Sequence, residues 1–167
     1  YVPSAMQEIP HHAPERIKLI TGGERAGKSK WTEAELLTWL PQCDKGDLIW
    51  IVGPTYELAR PEFLYLVNDL TALGMLDPKK VSLPLNGSCT LTTEWGVVVE
   101  TQTSSEIMRL AGRAPAGVAM VEAAQQSYEA FLSLRGRVAE TRGPLVLSGT
   151  LESSLSWYTD LWNAWQL

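Results

Sequence analysis

Gly22-Gly23-Glu24-Arg25-Ala26-Gly27-Lys28-Ser29 matches the phosphate-binding pattern G-x-x-x-x-G-K-[ST] at every fixed position. A loop with few bulky side chains turns successive backbone N–H groups inward. The helix that starts at its end adds its positive pole, so an anion settles there. Within the pattern Lys28 is the side chain that reaches the β and γ phosphates of a nucleotide, and the Ser29 hydroxyl is placed to ligand Mg²⁺. The flanks agree. Ile17-Lys18-Leu19-Ile20-Thr21 has strand character, and residues 28–40 carry a helical pattern that stops at Pro41. Strand, glycine loop and helix in that order predict a nucleotide-binding β-α unit.

The chain downstream repeats this grammar. Leu48-Ile49-Trp50-Ile51-Val52 is a continuous apolar run of the kind buried on both faces of a parallel sheet, and a helix is predicted from about Tyr56 to Leu73, with Pro61 in its first turns. Residues 74–87 read as irregular. Thr90 to Glu94 and Val97 to Thr101 read as a hairpin or two adjacent strands around Trp95-Gly96, and Ser104 to Arg109 as a short helix. Gly117-Val118-Ala119-Met120-Val121 is an apolar strand that delivers Glu122 at its C-terminal end, where open α/β sheets bind ligands. Glu122 faces the phosphate loop if its strand neighbours the first. A helix over Ala123 to Ala139 and a strand over Pro144 to Leu147, ending in Ser148-Gly149-Thr150, complete the pattern. The expected fold is α/β, a central mainly parallel sheet flanked by helices, of the P-loop NTPase class. Hydrolysis needs a group that orients or deprotonates water near the γ phosphate, and Glu122 is the strand-end carboxylate with that placement.

Size and composition narrow the setting. With 167 residues, 45% of them hydrophobic, the chain fits one domain over 1–167. It has no apolar run near the length of a membrane span and no secretory signal pattern, so no membrane and a cytoplasmic setting are expected. The formal net charge of -5 argues against a domain that coats nucleic acid by bulk electrostatics. Cys43 and Cys89 lack C-x-x-C spacing and read as structural thiols. Residues 1–15 contain Pro3, Pro10 and Pro14 and are expected to run extended, with His11 and His12 in a solvated loop. Gln7 has two readings, a paired donor and acceptor for an adenine edge or an exposed loop glutamine. Residues 151–167, with Trp157, Trp162 and Trp165 near helical spacing, read as the start of a truncated lid or linker.

The phosphate loop, Gly53-Pro54-Thr55-Tyr56-Glu57-Leu58-Ala59-Arg60, Glu122-Ala123-Ala124-Gln125 and Ser148-Gly149-Thr150, in this order, resemble the ATPase domain of the large terminase subunit of tailed bacteriophages. That resemblance implies an ASCE/RecA-like sheet and an ATP-driven motor moving double-stranded DNA through a portal protein into a procapsid. It implies ATP and Mg²⁺ as ligands, the small terminase subunit as a partner, and a homo-oligomeric ring when docked that is monomeric in isolation, in the cytoplasm of the infected host. By the same resemblance Lys28 and Ser29 hold phosphates and Mg²⁺ and Arg25 touches the γ phosphate. Glu122 activates water, and Ser148-Gly149-Thr150 couples hydrolysis to movement. An arginine acting in trans is implied too, at Arg113 or, failing it, Arg109. Two departures stand out. Val121 occupies the position of the usual acidic residue before the glutamate, and nothing after Thr150 supplies nuclease ligands, so no DNA cleavage is expected. Two further readings remain: a nucleotide-binding ring subunit with little hydrolysis, and a P-loop kinase with a basic lid drawn from Arg135, Arg137 and Arg142. Arg135, Arg137, Lys79 and Lys80 also read as DNA phosphate contacts or, more simply, as a solvated face.

Overall fold

In chain order the elements are α1 (Ala5–His12), β1 (Ile17–Thr21), α2 (Lys28–Trp39), β2 (Leu48–Gly53), α3 (Tyr56–Ala72), β3 (Val81–Ser82), β4 (Thr90–Thr92), β5 (Val98–Thr103), α4 (Ser104–Ile107), β6 (Gly117–Met120), α5 (Tyr128–Thr141), β7 (Leu145–Gly149) and α6 (Ser156–Trp165). This computed structural model describes residues 2–107, 112–151 and 156–165. The strands form one seven-stranded sheet in the order β1-β7-β6-β2-β5-β4-β3. Pairing is parallel from β1 through β5 and antiparallel where β4 and β3 extend the edge. The sheet is the predicted one, mainly parallel and covered by helices.

The continuous apolar runs divide by the two-residue period of a strand. Ile49, Ile51, Ala119, Val121 and Val146 join one buried cluster with Trp31, Leu36 and Trp39 of α2 and Ala59, Phe63, Leu66 and Leu70 of α3. Trp50, Val52, Val118, Met120, Leu145 and Leu147 join the other with Ala130, Phe131, Leu134 and Val138 of α5 and Tyr158 of α6. Each central strand is therefore apolar all along because each face has a helical layer to fill.

Strand β7 lies between β1 and β6, so Glu122's strand does not neighbour the strand of the phosphate loop as the sequence condition required. Burial explains the insertion. Every residue of β7 is buried, whereas every residue of β1 is only half-buried, so the more apolar strand takes the interior place.

Two local expectations are corrected. Residues 1–15 are not extended: Ala5–His12 is a helix with Pro10 inside it. Ser4 N–H donates to the Gln7 carboxamide at 2.9 Å, and the far end is fastened by Glu35 of α2, which meets His11 Nδ1 at 2.5 Å and Lys18 Nζ at 3.0 Å. His11 is accordingly held in place, its ring tilted against Trp31 with centroids 5.1 Å apart, rather than solvated. A buried carboxylate that holds both the His11 ring and the Lys18 ammonium outweighs the bond that Pro10 deletes. The helix after Glu122 starts late: Ala123–Gln125 is a 3-10 turn, and α5 begins at Tyr128, where the Ser127 hydroxyl caps Ala130 N–H at 3.2 Å. In the tail the tryptophan stripe is in part packing surface. Trp157 of α6 stacks on Phe131 at 5.4 Å and donates to the Gln126 carbonyl at 2.8 Å.

Candidate active site

The phosphate loop connects β1 to the first residue of α2. Gly27 caps α2 at φ 81°, a left-handed conformation suited to glycine, and Arg25 is held at φ 59°. No side chain caps the helix, and its first turn carries no acid, so the leading N–H groups face the loop unneutralised. Lys28 Nζ donates to the Gly22 and Gly23 carbonyls, both at 2.9 Å, which curls the loop around its own ammonium. Gln7 packs behind the loop: its amide sits 3.4 Å from the Ala26 carbonyl, and Trp31 Nε1 donates to its backbone carbonyl at 3.1 Å. It lines a separate cavity of about 370 Å³ with Ala26, Lys28 and Trp162. That position is neither a free loop nor inside the main cavity.

One cavity of about 690 Å³ is lined by Glu24, Arg25, Ala26, Gly27, Lys28 and Ser29 from the loop and by Glu122, Gln125 and Thr150 from across the sheet. Glu122 reaches it although β7 intervenes, because it turns out of its strand in the left-handed region, φ 48° and ψ 40°. Such backbone costs roughly 1–3 kcal/mol and persists only where the surroundings hold it. Here Gln126 does the holding: it is buried, and its amide donates to the Val121 carbonyl at 2.7 Å and the Val52 carbonyl at 3.1 Å. Ser148 and Gly149 end the interposed strand, and Thr150 opens into the cavity, so this turn sits between the loop and Glu122. A Cβ on Gly149 would meet Ala124 N at 3.0 Å and the Tyr158 ring at 3.1 Å.

No protein-family model matches the sequence, and neither does any curated protein. Solved structures do match. The ATPase domain of the Thermus phage P74-26 large terminase superposes with a TM-score of 0.77 at 18% identity, covering 96% of this chain and 69% of that one. The fold is that of a large terminase ATPase domain. The HK97 bacteriophage large terminase shares it with a TM-score of 0.69 at 15% identity, over 99% of this chain and 38% of its own. So does a large terminase from a thermophilic bacteriophage in complex with ADP, with a TM-score of 0.60 at 18% identity, over 80% of this chain and 33% of its own.

On this terminase ATPase fold the arginines separate into two groups. Arg25 lines the cavity. Arg113 lies in the loop before β6, at the opposite end of the strands, where its guanidinium grips both oxygens of Glu100 at 3.0 and 3.1 Å. It is not brought to the cavity of its own chain. Arg109 lies outside the described residues. Arg135, Arg137 and Arg142 do not line the cavity either: Arg135 lies over Phe131 and Arg137 over Trp50. Lys80 pairs with Glu94 at 3.1 Å on the surface. No helix among the described residues is long and apolar enough to cross a membrane.

Sequence reasoning missed Glu62. It projects from α3, is 4% exposed, and shares a hydrogen bond with the Ser29 hydroxyl. Burial pushes its carboxyl from 4.5 up to about 7; the Ser29 bond and the Lys28 charge pull the other way, and Glu122 pushes it further up. A signal existed. Glu62 follows Ala59 by three positions and precedes Leu66 by four, so a charge stands on the apolar stripe of its helix.

Proposed function

We propose that this chain is the ATP-hydrolysing motor domain of a phage large terminase and powers the translocation of double-stranded DNA into a procapsid. The observation that carries this reading is that Lys28, Ser29 and Glu122, far apart in sequence, line one cavity. In the proposed reaction a water attacks the γ phosphate and ADP leaves. Glu122 orients that water and accepts its proton on a carboxylate oxygen. Lys28 exchanges its two loop carbonyls for the β and γ phosphate oxygens, and Arg25 neutralises charge on the γ phosphate. Mg²⁺, when bound with the nucleotide, neutralises charge spread over the phosphate oxygens. Ser29 would hold it, and the hard oxygen donors of Ser29 and Glu62 suit that ion. Ser148-Gly149-Thr150, touching the turn after Glu122, is the proposed coupling element.

The proposed partners are double-stranded DNA, a portal protein, a small terminase subunit and further copies of the chain in a ring, in the infected host's cytoplasm. Arg113, exposed on the far side of the sheet, is the proposed trans arginine of the ring. The deciding experiment is phosphate release from ATP with and without DNA and a portal partner: stimulation is expected, and nucleotide binding without release under every condition sinks the motor reading. A second reading, a nucleotide-binding ring subunit with little hydrolysis, is favoured by Val121, which is fully buried in the apolar layer where a metal-supporting acid is usual.

A further inference from the structure

Glu62 is a carboxylate that the fold buries and leaves incompletely satisfied. Its Oε2 is buried without a hydrogen-bond partner. It lies four residues after Leu58 and three before Tyr65, so the three share one face of α3, and both neighbours line the nucleotide cavity. Buried charge normally comes fully partnered, and an orphaned oxygen beside a ligand cavity marks a place where a ligand or cation finishes the set. The Ser29 hydroxyl, the side chain that faces Mg²⁺ in a phosphate loop, is already joined to this carboxylate. Meanwhile the residue that follows β6 is Val121, packed in the same apolar layer as Phe63, the residue after Glu62. The end of the strand offers no acid to Ser29, and α3 offers one.

We propose that Glu62 is the positioning residue for Mg²⁺ in this site, a carboxylate supplied by α3 in place of one at the end of β6. It accepts the Ser29 hydroxyl proton in a hydrogen bond, which leaves the lone pairs of the Ser29 oxygen for the metal. Its second oxygen, Oε2, accepts from a water of the metal's shell. Outer partners of this kind set metal affinity by roughly 10- to 100-fold. The assignment rests on the nucleotide-site reading.

The test measures ADP and ATPγS affinity by calorimetry, in excess Mg²⁺ and in EDTA, for the wild type and Glu62→Gln, alongside thermal melts without nucleotide. Wild type is expected to bind more tightly with Mg²⁺. In Glu62→Gln that enhancement should shrink about tenfold, while the affinity in EDTA stays within about twofold and the melting temperature holds or rises, because an isosteric neutral amide replaces a poorly satisfied buried charge. An equal Mg²⁺ enhancement in both proteins overturns the proposal. So does a variant that melts early and loses affinity equally with and without Mg²⁺, which is the signature of a purely structural residue. If the wild type binds neither nucleotide in either buffer, the nucleotide-site reading itself has failed, which is a separate result.

Discussion

The Tyr158 hydroxyl donates to the Ile20 carbonyl at 2.9 Å, joining α6 to the strand that feeds the phosphate loop across 138 residues of chain. The ring is fully buried, and burial holds its phenol protonated well above the ordinary range, so it stays a donor at any working pH. Tyr158→Phe keeps the ring and removes the bond. A loss of about 1 kcal/mol is expected, seen as a melting temperature lower by roughly 3 °C. An unchanged melt means that α6 is held by its aromatic packing alone.

Glu122→Gln keeps the shape of the turn and removes the proton acceptor. Hydrolysis should fall by roughly 10²- to 10⁴-fold with nucleotide affinity preserved, whereas Lys28→Ala should weaken nucleotide binding by roughly ten- to a hundredfold. Equal steady-state phosphate release by wild type and Glu122→Gln removes the proposed chemistry.

The Glu62 carboxyl titrates at about 7 in the fold against an ordinary 4.5. Folding therefore favours its protonated form. Its burial costs nothing extra below about pH 4.5, the cost grows as pH rises toward 7, and it is complete above that. Denaturant melts of metal- and nucleotide-free protein should show wild type losing up to roughly 3 kcal/mol relative to Glu62→Gln across this window. A difference that stays flat with pH would show that the carboxylate is charged and solvated throughout.

Gly149 has no room for a side chain: a Cβ there approaches Ala124 N at 3.0 Å, the Tyr158 ring at 3.1 Å and Ala124 Cβ at 3.2 Å. Gly149→Ala should cost about 1–3 kcal/mol and, by pushing on the turn that follows Glu122, lower turnover more than nucleotide affinity. Unchanged kinetics would detach this glycine from the coupling role.

Arg113 is 44% exposed at its side chain, and its pair with Glu100 contributes at most about 1 kcal/mol. Arg113→Ala should fold normally, leave the weak hydrolysis of isolated monomers alone and lower turnover in assembled rings by on the order of 10³-fold. Mixed rings decide it: an Arg113→Ala subunit paired with a Glu122→Gln subunit should regain activity at the shared site, and its absence counts against a trans role.

Much of this molecule is written locally. The phosphate loop is legible because its chemistry is set by eight consecutive residues, and β2, β6 and β7 are legible because strands buried on both faces must be apolar throughout. Residues 5–12 were not: Pro10, flanked by Pro3 and Pro14, argues for an extended chain until Glu35, distant in sequence, fastens His11 and Lys18. The late start of α5 was hidden likewise, since only the bonds from Gln126 to Val121 and Val52 reveal that the chain turns left-handed at Glu122.

The sequence by itself determined the class of site, a lysine and a serine at the head of a helix with a carboxylate at the end of a later strand. The tertiary structure alone decided that β7 separates the two, and that Glu62 meets Ser29. The reason is range. Backbone conformation and burial periodicity are imposed by near neighbours, whereas a glutamate on a helix reads as surface charge until packing shows which hydroxyl it faces.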